Sequence, residues 1–175
     1  MKILKYFGIA VVILLAVFLS LGWFTPSFDY SAEVSIHAPV QKCWEVLQDT
    51  SRMKKWTPGF KSLTLKSGEH LQAGARYEIV ILQEELYVMQ ELITAVKAPE
   101  SISFELKNDV LTSVYDFKLM ARDSKTELSA RYHVTGSNLI WKSVLSLSKS
   151  FLKDAAQKQF ELLKVEVETG ELEFD

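Results

Sequence analysis

Glu91 stands between Met89 and Ile93 on one face of a β-rich apolar run. A carboxyl held among such neighbours has its pKa raised and can give or take a proton near neutrality. The same run also reads in the opposite parity, with Leu86, Val88 and Leu92 inward and Glu91 in water. The rarity of fully buried glutamate favours that second reading. Tyr115 and Tyr132 lie on the apolar parity of their own runs and complete the set that could move a proton inside a cavity. A wider set, Trp56, Tyr77, Ile79, Phe104, Tyr115, Phe117, Tyr132 and Phe160, would suit the wall of a ligand pocket. Tyrosine rings supply apolar area there while each hydroxyl fixes orientation. An ordinary aromatic core explains the same pattern equally well.

Other reactive residue types carry less. His37, His70 and His133 fall on separate elements, without a helical i, i+4 pair or an HExxH motif, so no metal site is expected. His133 shares a strand face with Glu127, Ser129 and Arg131, which reads as the wet side; were that face internal, His133 and Arg131 would be acid/base candidates. Cys43 is the lone cysteine and sits on an apolar helical stripe, which assigns it to packing. Arg52, Lys54, Lys55 and Lys61 form a local basic patch that could touch anionic headgroups, although a solvated face is the commoner meaning. Nothing calls for a cofactor. A net charge of −2 argues against nucleic acid as a partner.

These side chains need elements to hold them. Tyr30 to His37 alternates as a half-buried strand. Pro39 suits the first position of a helix whose stripe is Val40, Cys43, Trp44 and Leu47. Asp49-Thr50-Ser51 can cap a second short helix carrying Met53 and Trp56, ended by Pro58-Gly59. Strand signals follow at Leu63–Lys66, Ala75–Leu82, Leu86–Val96, Ser101–Lys107, Leu111–Met120 and Glu127–Thr135. The turns between them, including Gln83-Glu84-Glu85, are short enough for an antiparallel meander. From Trp141 the period becomes helical through Leu145, Leu152, Ala156, Phe160, Leu163 and Val167, with Gly170 placed to stop it. Glu166 and Glu168 stand at that carboxyl end, where the helix dipole disfavours acids, and the sequence offers no reason for them.

The chain opens with an apolar segment. No charge occurs from Tyr6 to Phe24, about 19 residues, enough at 1.5 Å each to approach a hydrocarbon core of ~30 Å. Lys2 and Lys5 precede it, Asp29 is the first charge after it, and the next cation is Lys42. That asymmetry places the amino end in the cytoplasm and the domain outside it. A cleaved signal, with Ser20-Leu21-Gly22 as a weak cleavage site, is the alternative and would release a secreted domain. The expected division is an anchor over 1–25, a linker over 26–29, one domain over 30–170 and an acidic tail over 171–175.

Val34-Ser35-Ile36-His37-Ala38-Pro39, the helix with Trp44 and Leu47, the turn with Trp56 and Pro58, Gly74 and the long last helix together resemble the SRPBCC superfamily. This superfamily is also called START-like or birch-pollen-allergen-like, and the bacterial polyketide cyclase/dehydrase-like branch is the most similar. His37 departs from the small polar residue common before Ala-Pro. The resemblance implies a helix-grip α+β fold: a curved antiparallel sheet of six or seven strands around a long C-terminal helix, with two short helices after the first strand. It implies a cavity and no fixed catalytic set. The expected function is membrane-tethered binding of a hydrophobic small molecule or lipid between the sheet and the last helix. A cyclase- or dehydratase-like enzyme using Glu91, Tyr115 and Tyr132 is the alternative. A non-catalytic protein-interaction module of the cell envelope is the third reading.

Overall fold

The computed structural model describes residues 2–83 and 85–170. The expected acidic tail and Glu84 of the Gln83-Glu84-Glu85 turn lie outside the described residues. Helix α1 (Lys2–Phe24) is apolar on every side and solvent-exposed over most of its length. Its stretch Ile3–Phe24, 22 residues, is long and apolar enough to cross a membrane.

Strand β1 (Ser27–Ile36) begins three residues before the alternation at Tyr30, so only Thr25 and Pro26 separate it from α1. Helix α2 (Val40–Gln48) buries Cys43, Trp44 and Leu47 of the expected stripe, leaves Val40 half-buried, and buries Val46 as well. Pro39 is its N-cap and not its first helical residue; at ψ 150 the proline is still extended. Helix α3 (Thr50–Trp56) starts from Asp49, whose carboxylate accepts from the Ser51 N–H at 2.9 Å. The Ser51 hydroxyl binds the same oxygen, and these bonds hold the Asp49 carboxyl below its usual range.

Six further strands follow: β2 (Phe60–Ser67), β3 (Arg76–Leu82), β4 (Leu86–Lys97), β5 (Ser101–Lys107), β6 (Leu111–Arg122) and β7 (Lys125–Gly136). With β1 they form one antiparallel sheet of seven strands in the order β1-β7-β6-β5-β4-β3-β2. Short turns pair neighbours in sequence, and β1 closes the far edge against β7. Inward positions of β7 (Thr126, Leu128, Ala130, Tyr132, Val134) alternate with outward ones, so His133 lies on the wet face, bonded to Asp29 at 2.8 Å.

Helix α4 (Leu139–Thr169, 31 residues) starts two residues earlier than its periodicity indicates, because the Asn138 side chain caps the Trp141 N–H. Gly170 ends it in the left-handed region at φ 70, where glycine has no Cβ to clash. The helix runs beside β1 in the same direction: Ser146 meets Thr25, Gln157 meets Glu33, and Glu168 meets His37. The helix-grip fold is thus present, but α4 covers the β1 and β7 side while α2 and α3 roof the other strands. Ile36, Leu128, Phe160, Leu163 and Val167 fill the core beneath α4.

Candidate functional site

The hollow of the sheet is partly filled and partly open. Trp44 and Leu47 from α2 and Met53 and Trp56 from α3 face Leu63, Tyr77, Glu91, Ile102, Phe104 and Phe117 across a chamber of about 80 Å³. Asp49 makes this possible by breaking the helix, so that two short stripes turn toward the same space. Leu71 and His70 close the wall from the loop between β2 and β3. Leu71 sits at φ 54, a left-handed conformation that costs a leucine roughly 1–2 kcal/mol. Its N–H is held by the Tyr77 hydroxyl at 2.9 Å, which offsets part of that strain.

Few polar groups reach this apolar chamber, and each is specific. Burial pushes the Glu91 carboxyl up to about 7, so near neutrality it is available as a proton donor as well as an acceptor. His70 Nδ1 and the Tyr77 hydroxyl are paired at 2.9 Å. The Trp56 indole N–H is buried without a partner among the described residues, leaving one donor for an acceptor atom. Gln48 completes the polar lining.

A wall of rings bounds the chamber. Phe104 stacks on Tyr115 with centroids 4.8 Å apart, Phe117 meets Phe104 and Phe160 edge-on at 5.5 Å, and Tyr115 meets Tyr132 at 4.9 Å. Beyond the wall a second groove of about 310 Å³ runs between the sheet and α4, lined by Tyr30, Tyr87, Met89, Val110, Leu111, Tyr115, Leu152 and their neighbours. Burial raises the Tyr115 hydroxyl pKa, and the nearby Glu91 charge adds to that rise. Burial also raises Tyr132, whose hydroxyl has no hydrogen-bond partner among the described residues.

The sequence-derived residues therefore separate. Trp56, Tyr77, Phe104 and Phe117 line the chamber, and Tyr115 lines the groove. Tyr132 and Phe160 belong to the packed core, and buried Ile79 borders neither space. Glu91 corrects the reading that put it in water: Met89, Glu91 and Ile93 point inward, while Leu86 and Val88 are the exposed ones. Glu91, Tyr115 and Tyr132 do not meet around one open space. Trp44, Leu47, Gln48, Met53, Leu63, His70, Leu71 and Ile102 were missed as lining. The Ala-Pro helix and its Trp44 stripe were a usable signal for the α2 members; nothing local marked Leu71.

The basic patch is also reassigned. Arg52 Nε donates to Glu166 Oε1 at 2.6 Å, Arg52 Nη2 reaches the Glu166 carbonyl at 3.1 Å, and Lys55 Nζ lies 3.8 Å from Oε2. Two of its four cations thus bind the far end of α4, away from α1. The same end explains Glu168, which accepts from the His37 N–H at 2.6 Å. Burial pulls the Glu168 carboxyl up, but the His37 hydrogen bonds outweigh it and leave the pKa lowered. Among the described residues no group of three or more His, Cys, Asp or Glu stands together as a metal site.

Residues 27–168 match the family described as polyketide cyclase / dehydrase and lipid transport. No curated protein matches the chain in sequence. Similar solved structures include Ara h 8.0201 (TM-score 0.63, 12% identity, covering 81% of this chain and 97% of that one). A conserved protein from Geobacillus kaustophilus superposes with TM-score 0.66 at 16% identity, covering 80% and 95% of the two chains. The di-domain ARO/CYC BexL from the BE-7585A biosynthetic pathway gives 0.66 at 11% identity, covering 86% of this chain and 53% of its own. At such identities the likeness shows the fold.

Proposed function

The chain belongs to the polyketide cyclase / dehydrase and lipid transport family, of SRPBCC type, and from that premise we propose that it is a membrane-tethered binder of a hydrophobic small molecule or lipid. The carrying observation is the chamber roofed by α2 and α3: its walls are indole, phenyl and aliphatic side chains, with an unpartnered Trp56 N–H and a neutralisable Glu91 inside. Such a site fits an apolar body carrying one oxygen-bearing end. At about 80 Å³ it is roughly half the ~150 Å³ cavity that accepts benzene, so it takes a short alkyl segment. A longer ligand needs the Phe104–Tyr115 wall to part and join the chamber to the groove.

Helix α1 supports the tether. Its 22-residue span Ile3–Phe24, charged only at Lys5, is long enough for a bilayer, and the charge asymmetry around it favours a cytoplasmic amino end and an extracytoplasmic domain. Organic extraction of the full chain purified from membranes, followed by mass spectrometry, tests the binding function. A stoichiometric apolar compound is expected; an empty protein that also refuses added apolar probes overturns it.

A second reading rests on Glu91. A carboxyl with pKa about 7 beside the His70–Tyr77 pair, in a mostly apolar chamber, is equipped for proton transfer of the cyclase or dehydratase kind. Turnover of a bound polyketide-like substrate that Glu91→Gln abolishes without loss of binding would establish it.

A further inference from the structure

One end of the sheet carries exposed apolar side chains at its rim, and it is the end from which α1 leaves. The ladder places it: Ser27 pairs with Thr135, Thr135 with Thr112, Thr112 with Lys107 and Lys107 with Gln90. Gln90 is therefore level with the first residue of β1. The β3–β4 hairpin runs four residues past that level, to Leu86, an overshoot of ~13 Å at about 3.3 Å per residue. Its tip carries Leu82, Leu86, Tyr87 and Val88 exposed, Leu86 at 64%.

The start of α4 reaches the same level from the other side. Gly22 donates its N–H to Ser143 Oγ at 3.0 Å, and a Cβ on Gly22 would stand 2.5 Å from the Leu139 carbonyl. Thr25 and Ser146 are bonded at 2.9 Å. The first turn of α4 is thus clamped beside the last turns of the apolar span, within the layer where Trp23 sits. That turn shows Leu139, Ile140 and Trp141 to solvent, with Ile140 58% exposed. Between the two prongs open Ile81, Tyr87, Met89, Val110, Leu111 and Leu152, which belong to the groove on the α4 side of the ring wall.

We infer that the hairpin tip and the first turn of α4 seat on the outer surface of the bilayer that α1 spans, so that the groove opens toward lipid. The inference rests on the tethered reading of α1. A membrane is the occupant because a linker of Thr25 and Pro26 and the Gly22–Ser143 clamp leave this rim nowhere else to face. Among the described residues the charges near the rim are mixed in sign, Lys61, Lys107, Lys142 and Lys149 beside Asp29, Glu85 and Asp109, so the seat does not depend on anionic lipid.

Spin-label accessibility on the full chain in phosphatidylcholine vesicles tests this. Cys43 is buried, so thiols introduced by Leu86→Cys, Ile140→Cys, Met120→Cys and Val12→Cys carry the labels. Labels at 86, 140 and 12 should lose collisions with an aqueous nickel chelate and gain them with dioxygen, whereas 120, at the other end of β6, stays wet. A buried label at 12 with wet labels at 86 or 140 overturns the seating while leaving the tether standing. A wet label at 12 overturns both. Ligand extraction is read separately, so failure of the binding function is not confused with either.

Discussion

Arg52 on α3 and Glu166 on α4, 114 residues apart, meet at 2.6 Å with the glutamate wholly buried. The guanidinium also reaches the Glu166 carbonyl, so one cation satisfies a buried acid and the carboxyl end of a helix. The acid that helix electrostatics disfavour is the anchor by which the chamber's roof is tied to the core.

Arg52→Ala should therefore destabilise the protein by roughly 3 kcal/mol, since it leaves a buried carboxylate with only Lys55, 3.8 Å away, as a neighbouring cation. Glu166→Gln should cost less, because a neutral amide is cheaper to leave half-paired. Urea unfolding of the full chain in detergent measures both. Equal small losses would show that the pair is not buried in solution.

Glu91 should make stability fall as pH rises. Its folded pKa, about 7 against an ordinary 4.5, means the folded state holds the proton more tightly. The penalty is absent below the ordinary value, grows through the interval and is complete above the raised one. The shift corresponds to about 3 kcal/mol. Glu91→Gln should flatten unfolding midpoints compared at pH 5 and pH 8; unchanged slopes would place Glu91 in water.

How much of this was legible follows from range. The helix stop at Gly170, the inward set of β7 and the stripe of α2 are local patterns, and they hold. Glu91 was misread because its strand projects beyond β5, leaving Leu86 and Val88 exposed and blurring the period-2 signal. Leu71 enters the wall through a positive φ that no sequence period announces. Tyr132 and Phe160 carried the right parity, yet parity cannot tell a packed interior from a lined one.

Trp56→Phe removes the unpartnered indole N–H without emptying the wall. Stability should hold or rise slightly, while affinity for an apolar ligand with an oxygen acceptor falls by about 1 kcal/mol. Titration calorimetry against matched alkyl and hydroxyalkyl probes separates the effects. Equal affinity of variant and wild type for the hydroxyalkyl probe would remove Trp56 from the binding site.

Gly22→Val should prise α1 from α4, since the added Cβ meets the backbone of Leu139 and Ser143. Hydrogen exchange over Leu139–Ser146 should accelerate while β7 amides stay protected. Unchanged exchange there would mean the two helices are not clamped.

Photolabelling of the full chain in vesicles with a diazirine-bearing short-chain alcohol, mapped by peptide sequencing, tests the binding function most directly. Adducts are predicted on the chamber segments around Trp44–Trp56, His70–Leu71 and Ile102–Phe104, and Leu47→Trp should suppress them. Adducts confined to α1 and the outer rim, with none inside, would contradict it.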